Sequence, residues 1–517
     1  MKTRLGILSF IFLLLAQFSN GALKENFKIK GFHIDLRCEV MTMPALKTFA
    51  KDLSGMGINA LLMEWEGTYP YTKHATLSNK YAYSKDEIKS FVSYCESIGI
   101  KVIPLQNCFG HSEYILRHER YKEIREDAKE VSQVCPSEIE KSKVIFKEIF
   151  AEIAELHPSE YFHIGCDETY LLGSCKKCAA KVKQDGNKSK LFVDYVNEMC
   201  QLVKEMGKKP IIWADILLHH PEAATKLNKD VIIVNWNYGW DINRFGNVDT
   251  ILNKGFTFWG SPALRSYPDN IYLTEWQKHF ENLKTFIPYM RKANYKGIIN
   301  TSWSTSGTYG FLYDTNWEVV DMYPIRYVYP LSGFRILVAA FAASLQTQEP
   351  LDYGAFIIKY AQERFGFTAA QSKVIMDILY MSQPPVREIQ SEQLSTEKAK
   401  FIEASKTINA LKPIRNIKEF QHLQLMTDMR VQYLRFKEVE AKFQSTSFNR
   451  SQAADIKKEL YYLIVYAEKL NQRFLKLNAG YLYDEELKEM NVLRNKKMMN
   501  LYDVVNRMTA QKVSDTH

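Results

Sequence analysis

The chain has 517 residues, 46% hydrophobic and 13% aromatic, enough to bury a large core and to form two domains. The formal net charge is +9, but Lys and Arg are scattered among acidic neighbours, as in Lys85-Asp86-Glu87, which argues against a nucleic-acid-binding stripe. Eight Cys in a chain of this length do not make a disulfide scaffold.

In chain order, Lys2 and Arg4 precede the apolar run Ile7–Phe18, and Ser19-Asn20-Gly21-Ala22 supplies small residues for cleavage. Residues 1–21 therefore read as a secretory signal peptide, with export to the periplasm or outside the cell as the expectation. The run is too short for a membrane span, and no other segment is long and apolar enough for one. From residue 27, short apolar runs alternate with amphipathic stretches. The expected strands are Lys28–Leu36, Asn59–Trp65, Lys101–Gln106, Tyr161–Gly165, Pro210–Ala214, Val231–Trp236, Phe256–Gly260 and Gly297–Trp303. Between them lie helical patterns such as Pro44–Ser54, Lys85–Ser97, Ser137–Leu156, Leu191–Met206 and Trp276–Ala293, with only the short Val248–Leu252 after the sixth strand. Eight βα units over residues 22–345 predict an α/β fold, a (β/α)8 TIM barrel. After residue 345 the strand pattern stops. The helical stretches Tyr353–Phe365, Ala369–Tyr380, Thr396–Ala410, Ile417–Gln444, Ala453–Leu477 and Glu485–Arg507 make residues 346–517 a C-terminal α-helical bundle domain that serves as a scaffold.

Chemistry-bearing residues gather where the strands end. The run Tyr161-Phe162-His163-Ile164-Gly165-Cys166 leads into two adjacent carboxylates, Asp167 and Glu168. Within a strand, neighbours point to opposite faces; at the C-terminal end of a barrel strand both can reach one cavity. Two adjacent carboxylates at one substrate suggest one kept protonated and one kept charged. Strand two ends in Glu64-Trp65-Glu66 and strand three in Asn107-Cys108-Phe109-Gly110-His111; strand five carries Trp213 and Asp215, strand six Trp236 and Tyr238, strand seven Trp259 and strand eight Trp303. Indole rings beside carboxylates suit a sugar, whose C–H faces stack on aromatic rings while carboxylates hold hydroxyls or move protons. Trp240 and Trp276 read as packing, and Glu66 as a solvated loop residue. Cys175-Lys176-Lys177-Cys178 is a lone C-x-x-C with no second pair to complete a zinc site, so it reads as a local disulfide or as reduced thiols.

The stretch His163-Ile164-Gly165-Cys166-Asp167-Glu168 matches the H-x-G-x-D-E signature of glycoside hydrolase family 20, the β-N-acetylhexosaminidases, and Gly110-His111 resembles that family's Gly-His pair. The resemblance extends over Asn59–Tyr71, Lys80–Ile88 and Val102–His118, more loosely to about residue 340, and is strongest to the hexosaminidase D branch. It implies an exo-acting, retaining β-N-acetylhexosaminidase that takes terminal β-linked GlcNAc or GalNAc from N-acetylhexosamine-containing glycans. By that resemblance Glu168 is the general acid/base and Asp167, kept charged, holds the N–H of the 2-acetamido group. The acetamido oxygen attacks the anomeric carbon to give an oxazolinium, a substrate-assisted route. His111, with Glu64 behind it, resembles the His–acid pair supporting the catalytic Glu. No metal, organic cofactor or nucleic-acid partner is implied.

The chain also departs from the pattern. Lys30 stands where most members have an Arg on strand one, Trp259-Gly260-Ser261 where a Tyr and an Asp are usual, and Thr305 where a carboxylate follows the last Trp. Tyr238 would then supply the phenol that bonds the acetamido group. Two rivals stay open: a retaining β-glycosidase with a protein carboxylate as nucleophile, and a non-catalytic glycan-binding barrel protein.

Overall fold

The structure is a computed structural model that describes residues 27–266, 275–304, 309–313, 319–324, 329–381 and 391–510. Eight parallel strands close into a barrel: β1 (Ile29–Asp35), β2 (Ala60–Glu64), β3 (Lys101–Leu105), β4 (Tyr161–His163), β5 (Lys209–Trp213), β6 (Ile232–Trp236), β7 (Thr257–Ser261) and, after the short β8 (Ala263–Arg265), β9 (Gly297–Ser302). Closure comes from β1 pairing with both β2 and β9. The fold class is therefore the (β/α)8 barrel, followed by a mostly helical region.

Alternation along each strand sets the two faces. Ala60 and Leu62, Ile103 and Leu105, Ile211 and Trp213, and Ile232, Val234 and Trp236 fill one cluster inside the barrel. The residues between them join the outer helices in a second, larger core. Residues two apart share a face, so Ala60 and Leu62 lead inward to Glu64 at the C-terminal end of β2. The connecting helices follow the expected positions, among them Met43–Gly55, Lys85–Ser97, Ile139–Leu156, Ser189–Glu205 and Trp276–Lys292. Lys85–Ser97 starts at a reciprocal capping box between Ser84 and Glu87, which satisfies two otherwise orphaned backbone donors.

Two features differ from the sequence reading. β8 pairs alongside β9, and an antiparallel hairpin, β10 (Tyr309–Tyr313) with β11 (Val319–Pro324), follows the barrel. Both are short and lack the repeat of a βα unit, so periodicity did not separate them from loops.

After the hairpin come the helices Arg335–Leu345, Tyr353–Phe365, Ala369–Leu379, Ser391–Ala410, Ile417–Gln444, Ala453–Asn478 and Asp484–Ala510. They share the outer barrel core: Phe420, Met426 and Phe474 belong to the same cluster as Phe32 and Phe91. Thr42 donates its backbone N–H to the carbonyl of Tyr481, and Phe280 of the barrel lies 5.1 Å from Tyr353. Among the described residues, no helix is long and apolar enough to cross a membrane.

A buried ion pair joins the barrel to the start of the helical region. Arg265 on β8 reaches Glu39 at 2.6 Å and donates to the carbonyl of Tyr329 and to Ser302, while Glu39 accepts the backbone N–H of Leu331. Removing one partner of a buried pair leaves the other charge uncompensated, at about 3–5 kcal/mol. Arg265→Met, similar in volume, is expected to lower stability by about that amount, read as an earlier urea-unfolding midpoint.

Candidate active site

The backbone after β4 leaves the pleat abruptly. Gly165, Cys166 and Glu168 have φ of +72°, +74° and +48°, and His111 on the β3 loop has +51°. Non-glycine residues seldom adopt this left-handed region, and three of them at one mouth mark backbone held by its surroundings. The turn carries Asp167 and Glu168 out of strand alternation, so both face His111. The two loops touch at Gly110: a Cβ there would sit 2.1 Å from the Asp167 carbonyl oxygen, so only glycine permits the approach.

His111 Nε2 lies 3.1 Å from Glu168 Oε2 and 3.5 Å from Asp167 Oδ2. The Tyr170 hydroxyl donates to Glu168 Oε1 at 2.9 Å. Asp215, at the end of β5, accepts the Glu168 backbone N–H at 2.9 Å and the Trp236 indole N–H at 3.2 Å. Glu168 is thus held by backbone and side chain together. Asp167 Oδ1, in contrast, is buried with no hydrogen-bond partner.

The charges follow from these contacts. Burial, then the nearby Asp215 and Glu168 carboxylates, push Asp167 up to about 8, against the pull of His111. Burial also acts to raise Glu168, but the His111 hydrogen bond and charge, Tyr170 and Arg37 outweigh it and hold the carboxyl below its ordinary range. Burial alone would lower His111; Asp167 and Glu168, with Glu113 nearby, instead hold the imidazole protonated well above its usual range. Asp215 is raised to about 6, chiefly by burial. The surroundings therefore push the two neighbouring carboxyls apart, favouring the neutral form of Asp167 and the charged form of Glu168 when no substrate is bound.

An aromatic wall completes the mouth. The Trp303 indole donates to the Tyr238 hydroxyl at 2.8 Å, and its ring lies 6.1 Å from Trp213 and 4.4 Å from His33. Trp236 packs at 5.0 Å on Tyr238 and 5.4 Å on Trp240, which ties Trp240 to the wall. Arg37 lies over the Trp303 ring at 5.3 Å and grips Asp35 through Nε and Nη2 at 3.0 and 2.9 Å.

Four expectations need correction. Lys30 sits at the start of β1, about five residues and roughly 16 Å from the mouth, so the cation at the strand-one end is Arg37. Glu64 does not stand behind His111; it accepts from His33 at 3.1 Å and Asn107 at 2.9 Å, because its strand points it into the barrel top. Trp259 packs low in the barrel, 5.1 Å from Tyr161 at the start of β4, in the space left by Gly297, where a Cβ would meet the indole at 2.7 Å. Glu66 is buried, its carboxyl pushed up first by desolvation and then by Glu64 and Asp35, with Arg37 opposing. Thr305 and the signal segment 1–21 lie outside the described residues.

Sequence reasoning passed over Arg37 and Tyr170, although Arg37 follows the strand end by two residues and Tyr170 follows Glu168 by two. It also treated Cys175-Lys176-Lys177-Cys178 as lacking further ligands. The fold brings Cys135 and Glu126 against that pair, because the β3 and β4 loops run side by side.

Asp167 gives a stability signature. Its carboxyl binds a proton more tightly folded than unfolded, so between about pH 4 and pH 8 the native state holds the extra proton and stability falls as pH rises. Asp167→Asn removes that penalty. The variant's melting temperature relative to wild type should be lowest at or below about pH 4, rise from there, and be highest above about pH 8; a pH-independent difference would contradict the assignment.

Residues 40–312 match the family model described as glycosyl hydrolase family 20, catalytic domain. The chain is 29% identical over 287 residues to hexosaminidase D of Bos taurus, covering 52% of this chain and 83% of that protein. It is 28% identical over 305 residues to hexosaminidase D of Homo sapiens, covering 55% and 62% respectively. The Flavobacterium johnsoniae chitobiase structure shares the fold with a TM-score of 0.52 at 18% identity, over 94% of this chain and 73% of that one. The match begins just past β1 and takes in every other barrel strand with the paired carboxylates after β4, and the chain belongs to glycosyl hydrolase family 20.

Proposed function

We propose that the protein is an exo-acting, retaining β-N-acetylhexosaminidase that hydrolyses terminal β-linked GlcNAc or GalNAc by substrate-assisted catalysis. The observation that carries this reading is the buried, unpartnered Asp167 Oδ1 beside Glu168. A buried acceptor without a donor is costly, and an acetamido N–H is a donor of the right kind. The relatives named hexosaminidase D support the same substrate class.

The neighbouring carboxylates support the substrate's own oxygen as nucleophile. Asp35 is occupied by Arg37 and the Ser304 N–H, Glu64 by His33 and Asn107, and Asp215 by Glu168 and Trp236. None of these three offers an oxygen free to attack a sugar carbon, which disfavours a protein nucleophile.

The proton then has a route. An amide N–H bound to Oδ1 favours ionised Asp167. His111 Nε2 reaches both carboxylates, so His111 gives its proton to Glu168 and takes one from Asp167, leaving the total unchanged. Glu168 becomes the acid that protonates the leaving oxygen, and Asp167 becomes the charge that meets the positive oxazolinium as it develops. Glu168 later takes the proton from the attacking water, and the oxazolinium opens with net retention. Tyr238 is the hydroxyl near the acetamido oxygen, Trp213 and Trp303 supply the apolar floor, and Arg37, oriented by Asp35, takes sugar hydroxyls. We also propose export, supported by Lys2, Arg4 and the apolar run Ile7–Phe18; N-terminal sequencing of the mature chain tests it.

Turnover of aryl glycosides decides the main reading. Aryl β-GlcNAc and β-GalNAc should react, whereas aryl β-glucoside and β-galactoside should react barely even at saturation, since they lack the nucleophile. Comparable turnover of the glucoside, or a sugar trapped on a protein carboxylate, would overturn the proposal.

Glu168→Gln should cost roughly 10²–10⁴-fold on substrates with poor leaving groups and far less on activated aryl substrates. Equal loss on both kinds, measured as kcat/KM, would move the acid role to another residue.

A further inference from the structure

Behind the mouth, Glu126, Cys135, Cys175 and Cys178 meet, with one ligand atom from each lying within 4.8 Å of all the others. Cys135 Sγ is 3.6 Å from Cys175 Sγ and 3.5 Å from Cys178 Sγ, and Cys178 Sγ is 3.2 Å from Glu126 Oε2. A tetrahedral ion with Zn–S near 2.3 Å and Zn–O near 2.0 Å sets S···S edges of about 3.7 Å and S···O edges of about 3.5 Å. The measured edges match that cage without large movement.

The surroundings also suit a cation. Cys175 caps the helix Lys176–Asp185, and its sulfur accepts the Cys178 backbone N–H at 3.3 Å, so a thiolate there meets both an amide and the positive end of the helix. Glu126 Oε1 accepts the Cys175 backbone N–H at 2.8 Å, which fixes the carboxylate and leaves Oε2 toward the sulfurs. Glu126, Cys135 and Cys178 are buried, while Cys175 is partly exposed and gives an entry path.

We propose that these four side chains form a structural zinc site, with Cys135, Cys175 and Cys178 as thiolates and Glu126 as the fourth ligand. Three sulfurs select a borderline-soft ion over magnesium or calcium, and four protein ligands leave no open position for catalysis. Binding one Zn2+ displaces the three thiol protons to solvent and changes no oxidation state. The ion ties two loops. Glu126 and Cys135 belong to the segment after His111, and Cys175 and Cys178 to the segment after Glu168 and Tyr170. Hydrogen bonds from the Leu171 N–H to the Gln133 side chain and from the Cys175 N–H to Glu126 already bridge the same loops at the cluster. The site therefore acts by positioning His111 against Glu168, and it stands independently of the reaction proposed above.

The test is metal content of the full chain, purified without chelator or added metal. Equimolar zinc is expected. Cobalt(II) in its place should give sulfur-to-metal charge transfer and the intense visible bands of a tetrahedral thiolate site. Outer-shell changes at zinc sites cost about 10–100-fold in affinity, so Cys178→Ser and Cys135→Ser should each exceed about 100-fold loss. Should those buried variants fail to fold, Cys175→Ser at the partly exposed ligand and the near-isosteric Glu126→Gln read the same loss. Chelation should lower the melting temperature, and added zinc should restore it. The proposal is overturned by native protein that neither contains zinc nor acquires thiolate–cobalt bands, by zinc retained at full affinity in the ligand variants, or by a disulfide mapped within the three cysteines of the native chain.

Discussion

One imidazole nitrogen, His111 Nε2, lies within 3.5 Å of both catalytic-site carboxylates, and the geometry around the mouth is arranged to keep it there. Two carboxylates so near each other repel. A protonated His111 between them lets both approach one cavity. The contact requires the β3 and β4 loops to meet backbone to backbone, which Gly110 allows by having no Cβ where the Asp167 carbonyl stands. The left-handed residues Cys166, Glu168 and His111 belong to the same arrangement: their strain is sustained by the barrel on one side and by loop contacts on the other.

Three other buried carboxyls at the mouth, Asp35, Glu64 and Asp215, are tied up by hydrogen bonds. Arg37 grips Asp35 and approaches Glu64 at 3.9 Å, His33 bonds Glu64, and Asp215 is fixed by two N–H donors. These bonds leave Asp167 Oδ1 as the acceptor that a substrate amide can satisfy. The low-dielectric mouth that raises the Asp167 pKa also strengthens its attraction for a positive intermediate. Burial thus disfavours the charge in the free site and rewards it when the cation forms.

The helical region is bound to the barrel through a shared core and, at its start, through the Arg265–Glu39 pair, which holds Tyr329 and Leu331. Its contacts fall on the barrel's outer helices and on the loops after β1 and β2, with Thr42 meeting Tyr481 and Tyr81 stacking on Tyr483. The loop after β1 includes Arg37, so packing of the helices reaches the mouth through a few residues of backbone. The aromatic wall needs no such support, because Trp213 is buried against His163 and Trp303 is pinned by Tyr238.

The sequence by itself carried the barrel, because eight alternations of apolar run and amphipathic stretch leave few other ways to cover both faces of the strands. It also carried Asp167, Glu168, His111, Trp213, Trp236, Tyr238 and Trp303 as residues near strand ends, since a strand's C-terminal end can be read from its pattern. Height within the barrel could not be read that way: Trp259 faces inward as expected, but register sets it low beside Tyr161, and Lys30 lies at the far end of β1 from Arg37. Partners far apart in sequence were decided only by tertiary structure. Glu64 meets His33 in place of His111, and Cys135 and Glu126 meet the C-x-x-C pair, because adjacent strands bring their loops together at distances no local spacing encodes. The order of protonation is tertiary too, since it is set by the burial and charge surrounding Asp167 and Glu168, two neighbours with the same functional group.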